Sequence, residues 1–149
     1  MKLTAGTFIK STSLLSNDAH FFDSIIYLTE CNEKGAMGFI VNKKFNRNFN
    51  ELVEFSNSPE MPLWLGGPVA GDKLFFIHQR PDLISGTKLI ANGIYYGGNF
   101  EEALKLINRL VLTTHDIKLF IGYCGWDAGE LEAEMEEGSW EMIPPQTIF

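Results

Sequence analysis

The segment GYCGWDAGELEAEMEEGSW, Gly122 to Trp140, concentrates the side chains most able to do chemistry: one thiol, one phenol, two indoles and a run of carboxylates. Gly122 and Cys124 take the first and third places of a G-x-nucleophile-x-G elbow, the turn that exposes a nucleophile between a strand and a helix. The fifth place is Trp126, where the sharp turn needs a small residue, so the spacing favours a small buried thiol over a nucleophile. His20, His78 and His115 stand at no i,i+4 spacing, and Cys31 and Cys124 are far apart, so no metal-ligand pattern is present. His78 closes an apolar run beside Gln79 and Arg80 and reads as a hydrogen-bonded structural histidine rather than a catalytic one. Gly66, Gly67, Pro68 and Val69 (GGPV) offer backbone N–H groups to an anion, but a strand follows and the P-loop lysine is missing. A tight turn is the expectation.

The carboxylates fall on a helix expected over Ala128–Glu137. Asp127, with Glu130 three residues on, makes a capping pattern at its positive end. Ala128, Leu131 and Met135 share one face, Gly138 closes the helix at C′, and Glu134 borders the apolar stripe. Glu132 and Glu136 point away from it. Like charges at i,i+4 cost a few tenths of a kcal/mol per pair, so this density does not serve helix stability. A solvated face and a partner or cation surface both stay open. Trp126 and Trp140 flank a helix of roughly 15 Å and are expected to anchor it. On that reading Trp140→Ala costs about 3–5 kcal/mol.

Several elements must hold these residues in place. Thr7–Ser11 is a first strand, and SIIYLT and AMGFIVN pair as a hairpin through ECNEKG, where Gly35 suits the turn. NELVEF reads as a short helix capped by a neighbouring asparagine, KKFNR as a solvated loop, and LWLG and KLFFIH as strands around GGPVAGD. Asn92-Gly93 between apolar runs signals a type I′ hairpin. NFEEALKLINRL is the clearest helix, with Asn99 and Glu102 at its start and Ala103, Leu104, Ile107, Leu110 and Val111 on one face. IKLFIGYC reads as a central strand. Hairpin strands outnumber helices, which favours α+β over a doubly wound sheet.

Composition sets the outer limits. At 149 residues with 45% hydrophobic and 21% charged residues, the chain suits one domain, and no apolar run reaches the roughly 20 residues of a membrane span. No secretory signal is seen, and two cysteines make no disulfide framework, so a cytoplasmic location is expected. The net charge of -7 lies wholly after Lys118, where seven acidic residues stand without a Lys or Arg. Such an end repels phosphate backbones, and Lys43, Lys44 and Arg47 are a weak basic footprint, so direct nucleic-acid binding is disfavoured.

GAMGFIVN, GGPV, Ile77-His78 and GYCGWDAGELEAEMEEGSW, with GTFI and FDSIIYL before them, occur in one order along the chain. Together they resemble the YqgE/AlgH family of bacterial proteins over nearly its whole length. The resemblance implies an α+β fold: a branched, mostly antiparallel sheet with a small barrel-like closed part, surrounded by a few helices. It implies no known activity, because the family is of uncertain biochemical function and is sometimes labelled a transcriptional regulator. No helix-turn-helix signature or basic face accompanies that label here. Family members commonly carry His at the place of Cys31 and Ala at the place of Cys124, which weakens any mechanism resting on either. They also continue for some tens of residues past PPQTIF, so the expectation is one domain over 1–149 lacking the usual C-terminal segment, with self-association favoured if apolar surface is left uncovered.

The leading functional expectation is a non-catalytic cytoplasmic interaction or regulatory protein that binds another protein through its acidic end. Charge reversal at Glu130, Glu134 and Glu137 should then abolish capture. The alternative is a small-ligand binder or enzyme with a pocket near Asn42, His78, Tyr123, Trp126 and Glu130. The candidate ligand- or partner-binding set is Asn42, Gly66, Gly67, Pro68, His78, Tyr123, Trp126, Glu130, Glu134 and Trp140. No metal or cofactor is expected.

Overall fold

A computed structural model describes residues 2–149. Ten strands form one branched sheet: β1 (Phe8–Ser11), β2 (Ile25–Asn32), β3 (Gly35–Ile40), β4 (Lys44–Asn48), β5 (Pro62–Leu65), β6 (Val69–His78), β7 (Lys88–Ala91), β8 (Ile94–Tyr96), β9 (Ile117–Asp127) and β10 (Trp140–Ile143). Helices α1 (Phe100–Asn108) and α2 (Glu130–Glu136) complete the α+β fold. The main order is β10-β1-β2-β3-β9-β6-β8-β7, antiparallel throughout, with β4 and β5 branching off. The one parallel ladder among the described residues joins β5 to β9, Leu63 opposite Leu119 and Leu65 opposite Ile121.

The branch point is β9. One of its edges pairs with β6 over Ile117–Tyr123, while β5 and then β3 share the other. Gly122 makes the change of direction possible: its φ is +75°, and a Cβ there would strike the Gly67 carbonyl. The gap between β3 and β5 is closed by Gly66, whose N–H donates to Ile121 O and whose carbonyl accepts from Ile40 N, both at 2.8 Å. GGPV is therefore a close-packed turn, as its glycines predict.

Bending at β9 folds the two halves of the sheet over a shared interior of Phe8, Tyr27, Phe39, Ile77 and Phe120. Outside one half, α1 buries Ala103 and Ile107 against Leu63, Phe76, Leu119 and Ile121. Outside the other, α2 buries Leu131 against Ile9, Leu28, Cys124 and Trp126. The expected barrel-like closure is not present. β7 approaches the start of β1 closely enough that a Cβ on Gly6 would lie 2.6 Å from that of Ala91, yet no ladder joins them. Side-chain packing fills the seam where barrel hydrogen bonds would run, and the sheet stays open.

Local signals decide most elements. Asn92 and Gly93 take φ of +49° and +79°, the type I′ geometry that joins β7 to β8. The Asn99 side chain caps α1 by accepting from Glu102 N at 3.1 Å, but the Glu102 carboxylate turns away to Ser85. Three expectations change. Asn50–Phe55 is not one helix but parts of two 3₁₀ turns, Phe49–Glu51 and Val53–Phe55, separated by Leu52 in extended conformation. The expected loop KKFNR contributes strand β4, because its backbone finds β5. The helix expected over Ala128–Glu137 begins only at Glu130, since Gly129 at φ +77° interrupts the chain after β9.

Candidate functional site

The acidic segment is built around Glu134. The indole N–H of Trp126 and that of Trp140 both donate to its Oε1, at 3.2 and 2.9 Å. The two rings stand edge to face with centroids 6.2 Å apart, and both are buried. Indole N–H groups in a core need an acceptor, and here one carboxylate serves two. The backbone locks the same residue, because Ser139 N donates to Glu134 O at 2.9 Å while Gly138, at φ +88°, bonds back to Met135 O. That is a Schellman end to α2. Glu134, half-buried, thus lines no pocket found among the described residues but ties α2 to β9 and β10. Glu130 Oε1 accepts from Asp127 N at 3.0 Å, the glutamate half of the expected capping pattern, but the N-cap is Gly129 and no side chain caps α2.

With Glu130 and Glu134 occupied, the free acidic face is smaller than the sequence implies. Glu132 and Glu136 are exposed and, with Glu33 of the β2–β3 turn, border a groove of about 870 Å³. Leu3, Cys31, Met135 and Met142 line it with apolar surface that continues into the core beneath α2. Lys2, Thr4 and Asn32 complete its lip. Burial, followed by the charge of Glu132, pushes the Cys31 thiol up from its ordinary value, so the groove disfavours a thiolate.

Asn42, Gly67 and Pro68 line a second cleft of about 730 Å³ on another part of the surface, together with His20, Phe22, Lys43 and Lys44. Asn42 is committed to structure there, accepting from Ile25 N and donating to Asp23 O, each at 3.0 Å. The Lys43 ammonium donates to the carbonyls of Phe22 and His20 and lies 4.0 Å from the Phe22 ring centre. One of the three cations of KKFNR is therefore already engaged.

The remaining candidates do not converge. His78 is fully buried opposite Ile117, at the far end of β9 from Trp126, which pairs with Ala36. Its Nε2 lies 2.8 Å from Thr87 Oγ1 and 2.9 Å from Gly97 O, and its Nδ1 accepts from Arg80 N at 3.1 Å. Those partners select the neutral tautomer protonated at Nε2, and burial lowers its pKa from the ordinary 6.5. No pocket joins His78 to Asn42, Trp126 and Glu130 among the described residues. Tyr123 packs edge-on against Phe75 at 5.3 Å. Cys124 is fully buried with its thiol against Gly66 O, and burial pushes its pKa up to about 12, the opposite of an activated nucleophile.

Sequence reasoning passed over Lys118. It lies in the middle of the apolar run IKLFIGYC, and that interruption was its signal. The side chain is 9% exposed in the shared interior, its Nζ 3.9 Å from the Trp64 ring centre.

The AlgH-like family model matches residues 8–149. A UPF0301 protein of Chlorobium luteolum is 41% identical over 140 residues, covering 93% of this chain and 73% of that protein. The solution structure of the AlgH protein from Pseudomonas aeruginosa superposes with a TM-score of 0.75 at 24% identity, over 98% of this chain and 82% of that one. A crystal structure from Corynebacterium diphtheriae gives 0.76 at 18% identity, over 98% and 78%. At these identities the structural likenesses show the fold.

Proposed function

The chain belongs to the AlgH-like family, and from that premise we propose that it is a non-catalytic protein-interaction module of the cytoplasm. Its acidic groove receives a basic segment of a partner protein, with an apolar side chain of that segment seated on the groove floor. Any regulatory effect acts through that partner.

The carrying observation is the groove itself, in which Leu3, Cys31, Met135 and Met142 lie beneath the carboxylates of Glu33, Glu132 and Glu136. Methionine-rich floors adapt to varied apolar anchors, and a rim on which three carboxylates outnumber the single cation of Lys2 selects partners of the other sign and speeds encounter. The clasp of Trp126 and Trp140 on Glu134 holds the α2 wall in place before any partner arrives, which lowers the ordering cost of binding. The groups best suited to catalysis are otherwise committed, with Cys124 and His78 both at 0% exposure in hydrogen-bonded core.

The test compares capture of cytoplasmic proteins by the wild type and by a Glu132→Lys, Glu136→Lys variant. The variant should keep its melting temperature and lose the captured protein, and capture by the wild type should weaken as salt rises. Undiminished capture by the folded variant removes the proposal.

A further inference from the structure

Lys118 lies in the interior shared by the two halves of the sheet, away from the acidic groove. Its ammonium donates to Val41 O at 3.1 Å and to Ile148 O at 3.4 Å and faces the Trp64 ring. No carboxylate reaches it among the described residues, and the ion pairs present, Arg80 with Asp82 and Asp116 and Lys88 with Glu30, are elsewhere. A lysine held by neutral groups alone loses hydration with no countercharge to replace it, and burial lowers its pKa to about 8.

Beside it opens a hollow of about 180 Å³, walled by Met61, Trp64, His115, Phe149 and Lys118 itself. A cavity of about 150 Å³ is enough for one benzene ring, so this hollow is too small for a nucleotide but takes a small carbonyl compound. A desolvated lysine against an apolar wall is the arrangement by which proteins make an amine nucleophilic.

We propose that Lys118 is a covalent site for a short-chain aldehyde, which enters this hollow and forms an imine with the side-chain amine. The free amine adds to the carbonyl carbon, an N–H proton passes to the carbonyl oxygen, and departure of water leaves the C=N bond. Nothing is oxidised or reduced. The proposal is independent of the acidic groove and stands or falls without it.

The full chain is incubated at pH 8 with acetaldehyde and cyanoborohydride, whose hydride traps the imine as a stable secondary amine, and labelled lysines are mapped by mass spectrometry. At that pH about half of Lys118 is free base, against roughly 1 in 300 of an ordinary lysine. Lower basicity and restricted entry offset much of this, leaving Lys118 labelled on the order of tenfold faster than the mean of the other lysines. That advantage shrinks as pH rises towards 10.5, and 1-pyrenecarboxaldehyde, whose four fused rings exceed the hollow, labels the exposed lysines but spares Lys118. Labelling of Lys118 at or below the mean with acetaldehyde overturns the site. Equal labelling of Lys118 by 1-pyrenecarboxaldehyde overturns the role of the hollow. Because the wild type carries the experiment, no variant needs to fold.

Discussion

Replacing Glu134 by alanine removes the acceptor shared by the two indoles and leaves both N–H groups buried without a partner. A hydrogen bond to a charged group contributes about 1.5–3 kcal/mol, so two of them set a ceiling of about 6 kcal/mol. Both bonds end on one oxygen of a half-buried carboxylate, which brings the expected loss nearer to about 3 kcal/mol. The better helix propensity of alanine returns only a few tenths of that. For a chain of 149 residues each kcal/mol moves the melting temperature by about 2–4 °C, so a fall of about 6–12 °C is expected. Glu134→Gln keeps an acceptor oxygen without the charge and should lose about half as much. Urea titration followed by tryptophan fluorescence measures all three proteins, with Glu132→Ala as the exposed control on the same helix. If Glu134→Ala falls within about 0.5 kcal/mol of that control, the carboxylate does not hold α2 to the sheet and the account of the clasp is wrong.

Three further outcomes are expected. Trp140→Ala, which empties a buried site in the core beneath α2, should cost about 3–5 kcal/mol in the same titration; a cost below 1 kcal/mol would show the ring to be expendable. Gly122→Ala forces a side chain into a left-handed backbone and onto the Gly67 carbonyl, so a loss of about 3 kcal/mol or more is expected, and a wild-type melting temperature would show that β9 can bend elsewhere. His78 has its folded pKa below 6.5, so in the window between the two values the unfolded chain binds more protons. Its contribution is complete above about pH 6.5 and declines as the pH falls through that window. Urea midpoints taken from pH 7.5 to 5.5 should therefore drop less steeply for His78→Gln than for the wild type, and parallel slopes would contradict the buried neutral tautomer.

Much of the fold was legible because its signals are local. The Asn92-Gly93 turn, the Asn99 cap and the Gly35 hairpin each depend on residues only a few positions apart, and each forms as its chemistry requires. Gly138 closing α2 belongs to the same class. What stayed hidden depends on distant partners. β10 is four residues long and exists because β1, at the other end of the chain, offers an edge, with Phe8 opposite Ile143. β4 reads as polar loop until β5 pairs with it, and the parallel contact of β5 with β9 has no signature in either segment. Among site residues, the sequence placed Glu134 at the border of the apolar stripe, which is where it lies, but could not show two indoles converging on one oxygen. It set Asn42, His78, Trp126 and Glu130 around one pocket because each ends a strand or begins a turn, but the length of β9 separates His78 from Trp126 and Glu130, and Asn42 lines another cleft. Lys118 was visible as a charge within an apolar run, but its neighbours Val41, Trp64 and Ile148 come from three separate segments.

The three-way junction at β9 also bears on how the chain is made. Synthesis delivers β3, β5 and β6 long before Ile117–Asp127 leaves the ribosome. Until then each of these strands presents an unpaired row of backbone donors and acceptors beside apolar side chains, the condition under which nascent chains pair with one another. One segment removes all three exposed edges when it arrives. The interval before Asp127 leaves the ribosome is therefore the period of greatest exposure to aggregation, and it is there that a chaperone would find the most to bind.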